Sequence, residues 1–331
     1  LRDVYKRQLH DPSLMAGARV AGAEIARDRS SGDPEWVSAM LAHPTRSLLF
    51  LATGLRVQVW ARAASGLPDD WRWLRTLLPS RRNVVSSINS LALSPGAGRR
   101  LAAGGDDSTV RIWDVESGAL EFEEHTQGGI SAVAWCAGGE DRLASSSYSH
   151  RWVSVWNTRA APVATEYSGL RRFPEVLTGH GFSVYTIVAH PRSGRLASGA
   201  AFGGVLVWDV DGRSTPLLRC AGHKDHVNTM VASDRVFVSG ACDGSLRVWS
   251  WEDGACLREL RAGASIRRLA WGGRSLVAVS AADRVLAWTA DPAAPPATWA
   301  RAWSAGDPGP GRDRARDLGH DLECAHAVAV A

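Results

Sequence analysis

Short runs of alternating apolar and polar residues recur along this chain, and each recurrence closes on a tryptophan. The clearest runs Val238-Ser239-Gly240-Ala241, then Cys242-Asp243-Gly244, then Ser245-Leu246-Arg247-Val248-Trp249. Alternation with period two predicts two strands, and Asp-Gly supplies the positive φ values of a tight hairpin turn between them. Gly222-His223 stands in front. The closing pattern, apolar-x-apolar-Trp, falls at Trp60, Trp113, Trp156, Trp208, Trp249 and Trp288, at intervals of 53, 43, 52, 41 and 39 residues. Units of about forty residues cannot bury both faces alone, so the spacing predicts repeats stacked against one another.

Taken in order, the pattern predicts strands over Val37–Ala42, Leu48–Thr53, Arg56–Trp60 and Trp71–Leu77, with a His43-Pro44 turn and a polar insertion at 61–70. The second unit has strands at Ile88–Leu93, Leu101–Gly104 and Val110–Asp114, with Ser94-Pro95 as its turn. The third starts near Ile130 and reaches Trp156, and its turn, Tyr148 to Trp152, is longer and more aromatic than the others. A second insertion spans 159–173; the fourth unit runs Val184–Asp209 with a His190-Pro191 turn, and the sixth Ile266–Trp288. Residues 289–318, rich in Ala, Pro, Gly, Asp and Arg, read as a solvated loop with one strand at Thr298–Trp303.

Trp113-Asp114 and Trp208-Asp209 at the back of two units, and Gly179-His180 and Gly222-His223 at the front of two, resemble the signatures of the WD40-repeat family over residues 36–331. The resemblance implies an all-β, seven-bladed propeller with four strands per blade. It assigns His223, Ser239, Asp243 and Trp249 to a buried, hydrogen-bonded tetrad. His180, Ser198 and Trp208 form a partial set with Phe202 at the acid position; Asp107 and Trp113 form another, with Ala103 at the serine position. Unit six carries Asp283 one place off, and unit one only Trp60. Residues 1–8, with Asp3-Val4-Tyr5-Lys6-Arg7-Gln8, read as a non-native library artefact, and 9–35 as an N-terminal extension whose Val20–Ile25 could close the last blade. Gly319-His320 and 324–331 read as the start of a seventh blade cut inside its inner strand. Such a truncated ring would have unpaired edges and a greater tendency to aggregate.

Composition narrows the function. With 45% hydrophobic and 22% charged residues the chain is ordinary for a globular protein. The five cysteines, odd in number and without Cys-x-x-Cys spacing, read as small buried hydrophobes of a cytoplasmic or nuclear protein. A net charge of +4 rests on scattered arginines, with only Lys6 and Lys224 as lysines, so neither nucleic acid nor membrane is the expected partner. Phosphate-binding, nucleophile-elbow and zinc-protease motifs are missing, and no cofactor or metal site is expected. The His-Ser-Asp set would suit a hydrolase by residue type, but Trp249 would seal the serine.

What remains is surface recognition by a monomeric propeller working within a larger complex. In the family the turns share one face around the central channel, and on it fall Tyr148, His150, Arg151, Trp152, Phe182, Phe202, Lys224 and His226. Aromatic residues with Arg dominate interface hot spots, which makes this face the candidate site for partner proteins or peptides. Phe202 and Trp152 could instead fold inward. Asp106 and Asp107 next to the patch suggest a basic peptide. Two alternatives stay open: a cullin ubiquitin-ligase substrate receptor using Trp156-Asn157-Thr158-Arg159, and an RNA-associated scaffold.

Overall fold

The computed structural model describes residues 37–62, 71–80, 86–161, 163–165, 169–171, 173–212, 214–272, 275–281, 284–290 and 296–304. Six antiparallel four-stranded sheets stand side by side as the blades of a propeller ring. Blade one is β1 (Val37–Ala42), β2 (Leu48–Thr53), β3 (Arg56–Arg62) and β4 (Trp71–Leu77); blade two is β5 (Ile88–Leu93), β6 (Arg100–Gly105), β7 (Thr109–Asp114) and β8 (Leu120–His125). Blade three takes β9 (Ile130–Trp135), β10 (Arg142–Ser147) and β11 (Trp152–Asn157), then a separate hairpin, β12 (Val163–Thr165) with β13 (Gly169–Arg171), before its outer strand β14 (Glu175–Thr178). Blade four is β15 (Val184–Ala189), β16 (Arg195–Ala200), β17 (Val205–Asp209) and β18 (Leu218–Cys220), with a 3-10 turn at Ala201–Gly203. Blade five is β19 (Val227–Ala232), β20 (Val236–Ala241), β21 (Ser245–Ser250) and β22 (Cys256–Arg261); blade six is β23 (Ile266–Gly272), β24 (Ser275–Ser280), β25 (Val285–Thr289) and β26 (Ala300–Ser304).

Both faces of a middle strand must be covered, and the neighbouring blade does it. Val238, Leu246 and Val248 of blade five pack with Ile266, Leu269 and Leu276 of blade six; Leu101 and Trp113 of blade two pack with Phe50, Val57 and Val59 of blade one. The core is therefore a series of layers between blades, with Trp113, Trp208 and Trp249 fully buried in it. Truncating one of these indoles to Ala would cost about 3–5 kcal/mol.

Every inner strand slips register at its second residue: Ser38, Asn89, Ser131, Tyr185, Asn228 and Arg267. A bulge re-aims the extra side chain. Here it points along the ring: Asn89 donates to Ile130 O (2.9 Å), Ser131 to Val184 O (2.8 Å) and Asn228 to Ile266 O (2.8 Å), each joining a blade to the next. The other end of the blades is joined by arginines at the start of the second strands. Arg100 donates to Glu140 O (2.6 Å) and Thr158 Oγ1 (2.8 Å) and lies over Trp135; Arg142 reaches Val210 O and Arg195 reaches Trp251 O.

The predicted strand bounds agree with these elements to within about two residues, with two corrections. The 159–173 insertion contains the β12–β13 hairpin, and Trp152 opens β11 instead of ending the turn, because Trp152 pairs with Thr178 of the outer strand. The expected strand near Thr298 is the outer strand of blade six, one or two residues later. Residues 1–8, the 9–35 extension, Asp283 and the seventh-blade start at 319–331 lie outside the described residues.

Candidate interaction face

In blade five, β20 and β21 hold Ser239 opposite Arg247, with Asp243 in the connecting turn and His223 ahead of the inner strand. Trp249 Nε1 donates to Ser239 Oγ at 2.7 Å, so the serine hydroxyl donates onward to His223 Nε2 at 2.7 Å. That tautomer leaves Nδ1–H to donate to Asp243 Oδ2 at 3.1 Å. Asp243 also accepts from Lys224 N–H (2.9 Å), Ser245 N–H (2.9 Å) and the Ser245 hydroxyl (2.6 Å). Burial pushes the Asp243 carboxyl up, but bonds from the Ser245 hydroxyl, the Lys224 and Ser245 N–H groups and His223 outweigh it, and it falls to about 2. His223 moves down, because burial of the imidazolium outweighs the pull of Asp243. Every polar atom finds a partner, which is the condition for keeping them inside a stacked sheet. Ser239 is 0% exposed and bonded on both sides, so no substrate reaches its oxygen.

The remaining blades vary this scheme. In blade four Trp208 Nε1 and His180 Nε2 meet at Ser198 Oγ, at 2.7 and 2.6 Å, and burial aided by the Arg219 charge lowers the His180 pKa to about 4. In blade three Trp156 Nε1 donates to Ser145 Oγ at 2.8 Å. Ser145 escapes a fixed count of ten residues back from the tryptophan because the longer turn adds one; pairing of Leu143 with Trp156 puts it in phase. In blade two, where Ala103 replaces serine, Trp113 Nε1 turns to Leu78 O (3.0 Å). Trp60 of blade one donates to Gln58 Oε1 (3.1 Å).

The turns of blades three to five bring five rings into one run. Tyr148 and Tyr185 have centroids 5.5 Å apart, Tyr185 stacks on His226 at 5.5 Å, His226 meets Phe202 edge-on at 5.2 Å, and Phe202 lies 4.5 Å from Phe182. Tyr148, Phe182 and Phe202 are 37%, 52% and 63% exposed, so the inward packing considered for Phe202 does not occur. Phe202 has φ +56°, a left-handed conformation that costs a bulky residue of order 1–2 kcal/mol and is held here with its ring facing solvent. Tyr185 was missed by the sequence reading. It occupies the bulge position that elsewhere carries the bond to the next blade, and that position was its signal.

A family description, "WD domain, G-beta repeat", matches residues 80–114 and 214–250. Among curated proteins the chain is similar to "Cell division cycle 20.1, cofactor of APC complex" of Arabidopsis thaliana, 24% identical over 47% of this chain and 32% of that protein. It is also similar to "U3 small nucleolar RNA-associated protein 15" of Schizosaccharomyces pombe (strain 972 / ATCC 24843), 27% identical over 48% of this chain and 30% of that one. The solved structure of the RRP9 WD40 repeats superposes with a TM-score of 0.62 at 22% identity, covering 78% of this chain and 77% of the other. The chain folds as a WD40-type β-propeller, and its second and fifth blades match the repeat itself. Its aligned stretch spans about a third of those two curated relatives, and WD40-repeat proteins are generally non-catalytic scaffolds that bind other proteins.

Within this WD40 propeller the anticipated face residues separate into two groups. Tyr148, Phe182, Phe202 and His226 join through Tyr185. Trp152 is half-buried and pairs with His150, centroids 4.2 Å apart, while Arg151 and Lys224 stand exposed. Asp107 does not present the acidic neighbour expected of it. Its side chain is turned in and ion-paired to the buried Arg111, which also bonds Glu123 Oε1 at 2.7 Å. Asp106 is engaged by Asn89 Nδ2 at 2.7 Å. Asn157 caps the Arg159 and Ala160 N–H groups (both 3.1 Å), and Arg159 is ion-paired to Asp141. Among the described residues no helix is long and apolar enough to cross a membrane and no histidine, cysteine and carboxylate cluster is suited to a metal.

Proposed function

We propose that this propeller is a non-enzymatic scaffold that binds a segment of a partner protein on the face formed by the turns of blades three, four and five. The observation that carries the reading is the aromatic run Tyr148–Tyr185–His226–Phe202–Phe182, which crosses two blade junctions with its Phe rings more than half exposed. Exposed, contiguous aromatic surface on a rigid frame is what interface hot spots are made of. Four of the rings come from turns fixed by neighbouring strands and Tyr185 from the bulge of β15, so little ordering entropy opposes docking. The family's habit of binding proteins supports the same reading. Affinity purification with the wild type and with the Tyr148→Ala/Phe182→Ala/Phe202→Ala variant tests it: partners should be lost while the circular dichroism spectrum is kept. An unchanged partner set with an intact fold refutes it. The ligase-receptor reading is weaker, since Arg159 is held by Asp141 and the acid of the motif is Asn157. Similarity to a U3 small nucleolar RNA-associated protein keeps an RNA-linked complex as the second reading, and its mark would be a steep salt dependence of binding.

A further inference from the structure

Blade five contains a template for what blade four omits. Ser198 pairs with Leu206 as Ser239 pairs with Arg247, so Phe202 stands at the place of Asp243 and Gly204 at the place of Ser245. His223 Nδ1 has both partners, Asp243 Oδ2 and Ser245 Oγ, each at 3.1 Å. His180 has neither. Its Nε2 lies 2.6 Å from Ser198 Oγ, far closer than Leu206 O at 3.5 Å, so the serine hydroxyl, which accepts from Trp208, is assigned as donor to Nε2, and Nδ1 then carries the proton. Among the described residues Nδ1 makes no hydrogen bond, and although His180 as a whole is only 9% exposed, this nitrogen is not sealed from solvent as His43 Nε2 is. A Cβ added to Gly204 would lie 3.5 Å from Nδ1, so the missing Ser245-like side chain would have filled the space beside it.

The surroundings favour an anion. Arg219, which donates to Gly179 O at 3.4 Å, is close enough that its charge disfavours the imidazolium of His180. Gly181, the residue after His180, corresponds to Lys224, whose N–H donates to Asp243 in blade five. Phe202 cannot supply an acceptor, and its left-handed backbone sends the ring outward against Phe182. Gly203 holds this turn against blade five, since a Cβ there would fall 2.1 Å from His223 O.

We infer that blade four receives a carboxylate from the partner: an acidic side chain of the docked segment takes the place of Asp243 and accepts from His180 Nδ1–H beside Arg219, in the same turns that present the Phe182–Phe202 pair. The inference rests on the reading that this face docks a partner protein, and reverses the basic peptide anticipated from Asp106 and Asp107. A donor without a partner in the protein that gains a charged acceptor should favour the acid over its amide by about tenfold.

The test is a nuclear magnetic resonance titration of the full chain, following the His180 ring nitrogens and the Gly181 amide. The probes are acetate against acetamide, and a blocked glutamate-centred hexapeptide against its glutamine twin. Acetate and the glutamate peptide should shift His180 Nδ1 and Gly181 saturably, and their neutral counterparts should not. Gly204→Ser, which supplies the hydroxyl that blade five has, should weaken the acid at least threefold with the fold unchanged. Equal response to acid and amide, or no response to either, overturns the inference. Equal binding of the two peptides that is lost in Phe182→Ala/Phe202→Ala removes the carboxylate alone and leaves the docking face standing. Neither peptide binding, together with an unchanged partner set in the triple variant, removes both.

Discussion

Replacing Ser239 with alanine removes one oxygen and strands two buried groups. Trp249 Nε1–H loses its acceptor at 2.7 Å, and His223 Nε2 loses its donor at 2.7 Å. Ser239 is 0% exposed and Trp249 1%, so water does not replace the oxygen without opening the blade. Each unsatisfied buried polar group costs about 1–3 kcal/mol, and because the two groups share one site and relax together, the loss is about 2–5 kcal/mol for a side chain that shrinks by a single atom. Hydrophobic burial changes little, since no methylene is removed, and the cavity is too small to account for more than about 1 kcal/mol. Hydrogen exchange localises the effect. Amides of β20 and β21 should exchange about 30-fold to several-thousand-fold faster, while those of blades one and two keep their protection, because repeat folds couple mainly through nearest neighbours. Urea unfolding followed by tryptophan fluorescence should show the same loss. A change under 0.5 kcal/mol, or a loss of protection spread evenly over all blades, would refute the reasoning that the network locks blade five.

Three further outcomes follow from the same geometry. Arg111→Leu leaves the Asp107 and Glu123 carboxylates without their shared cation in a largely buried setting and should cost about 3–5 kcal/mol by chemical denaturation, more than any substitution of the exposed Arg151. His180 has a folded pKa of about 4, below its usual 6.5, so the unfolded chain binds the extra proton between those values. Its contribution is complete above pH 6.5 and lost as pH falls toward 4, about 2 kcal/mol by pH 5, and a urea-denaturation pH series in which His180→Gln flattens that slope checks it. Arg100→Ala releases Glu140 O and Thr158 and uncovers Trp135, and it should raise exchange at the blade two–three junction while costing about 1.5–3 kcal/mol.

The blade was legible because one local grammar repeats: an alternating run, a tight turn and a closing tryptophan fix each strand to within about two residues. Ser239 and Ser198 could be found by counting, since their turns have equal length, whereas the longer third turn hid Ser145 from the same count. The face was half legible. Exposed aromatics in turns could be seen as candidates, but whether they meet depends on how neighbouring blades present them. Tyr185 joins two blades only because a bulge re-aims it, and Trp152 leaves the run because it pairs into β11. Charge was the least legible property. Asp107 looks like surface acid in the sequence, and only the fold brings Arg111 across the hairpin to neutralise it. The arginines that clamp blade to blade were likewise invisible as a set, because their acceptors are backbone carbonyls up to 68 residues away.

The most direct measurement is photo-crosslinking in cells with benzophenone placed, one site at a time, at Phe182 and Phe202 and at the exposed side chains Trp73 and Leu257 on the outer strands of blades one and five. Discrete protein adducts from Phe182 and Phe202, with none from Trp73 or Leu257, are the predicted result. Adducts from the outer strands alone, or from all four sites equally, would contradict a docking face on the turns of blades three to five.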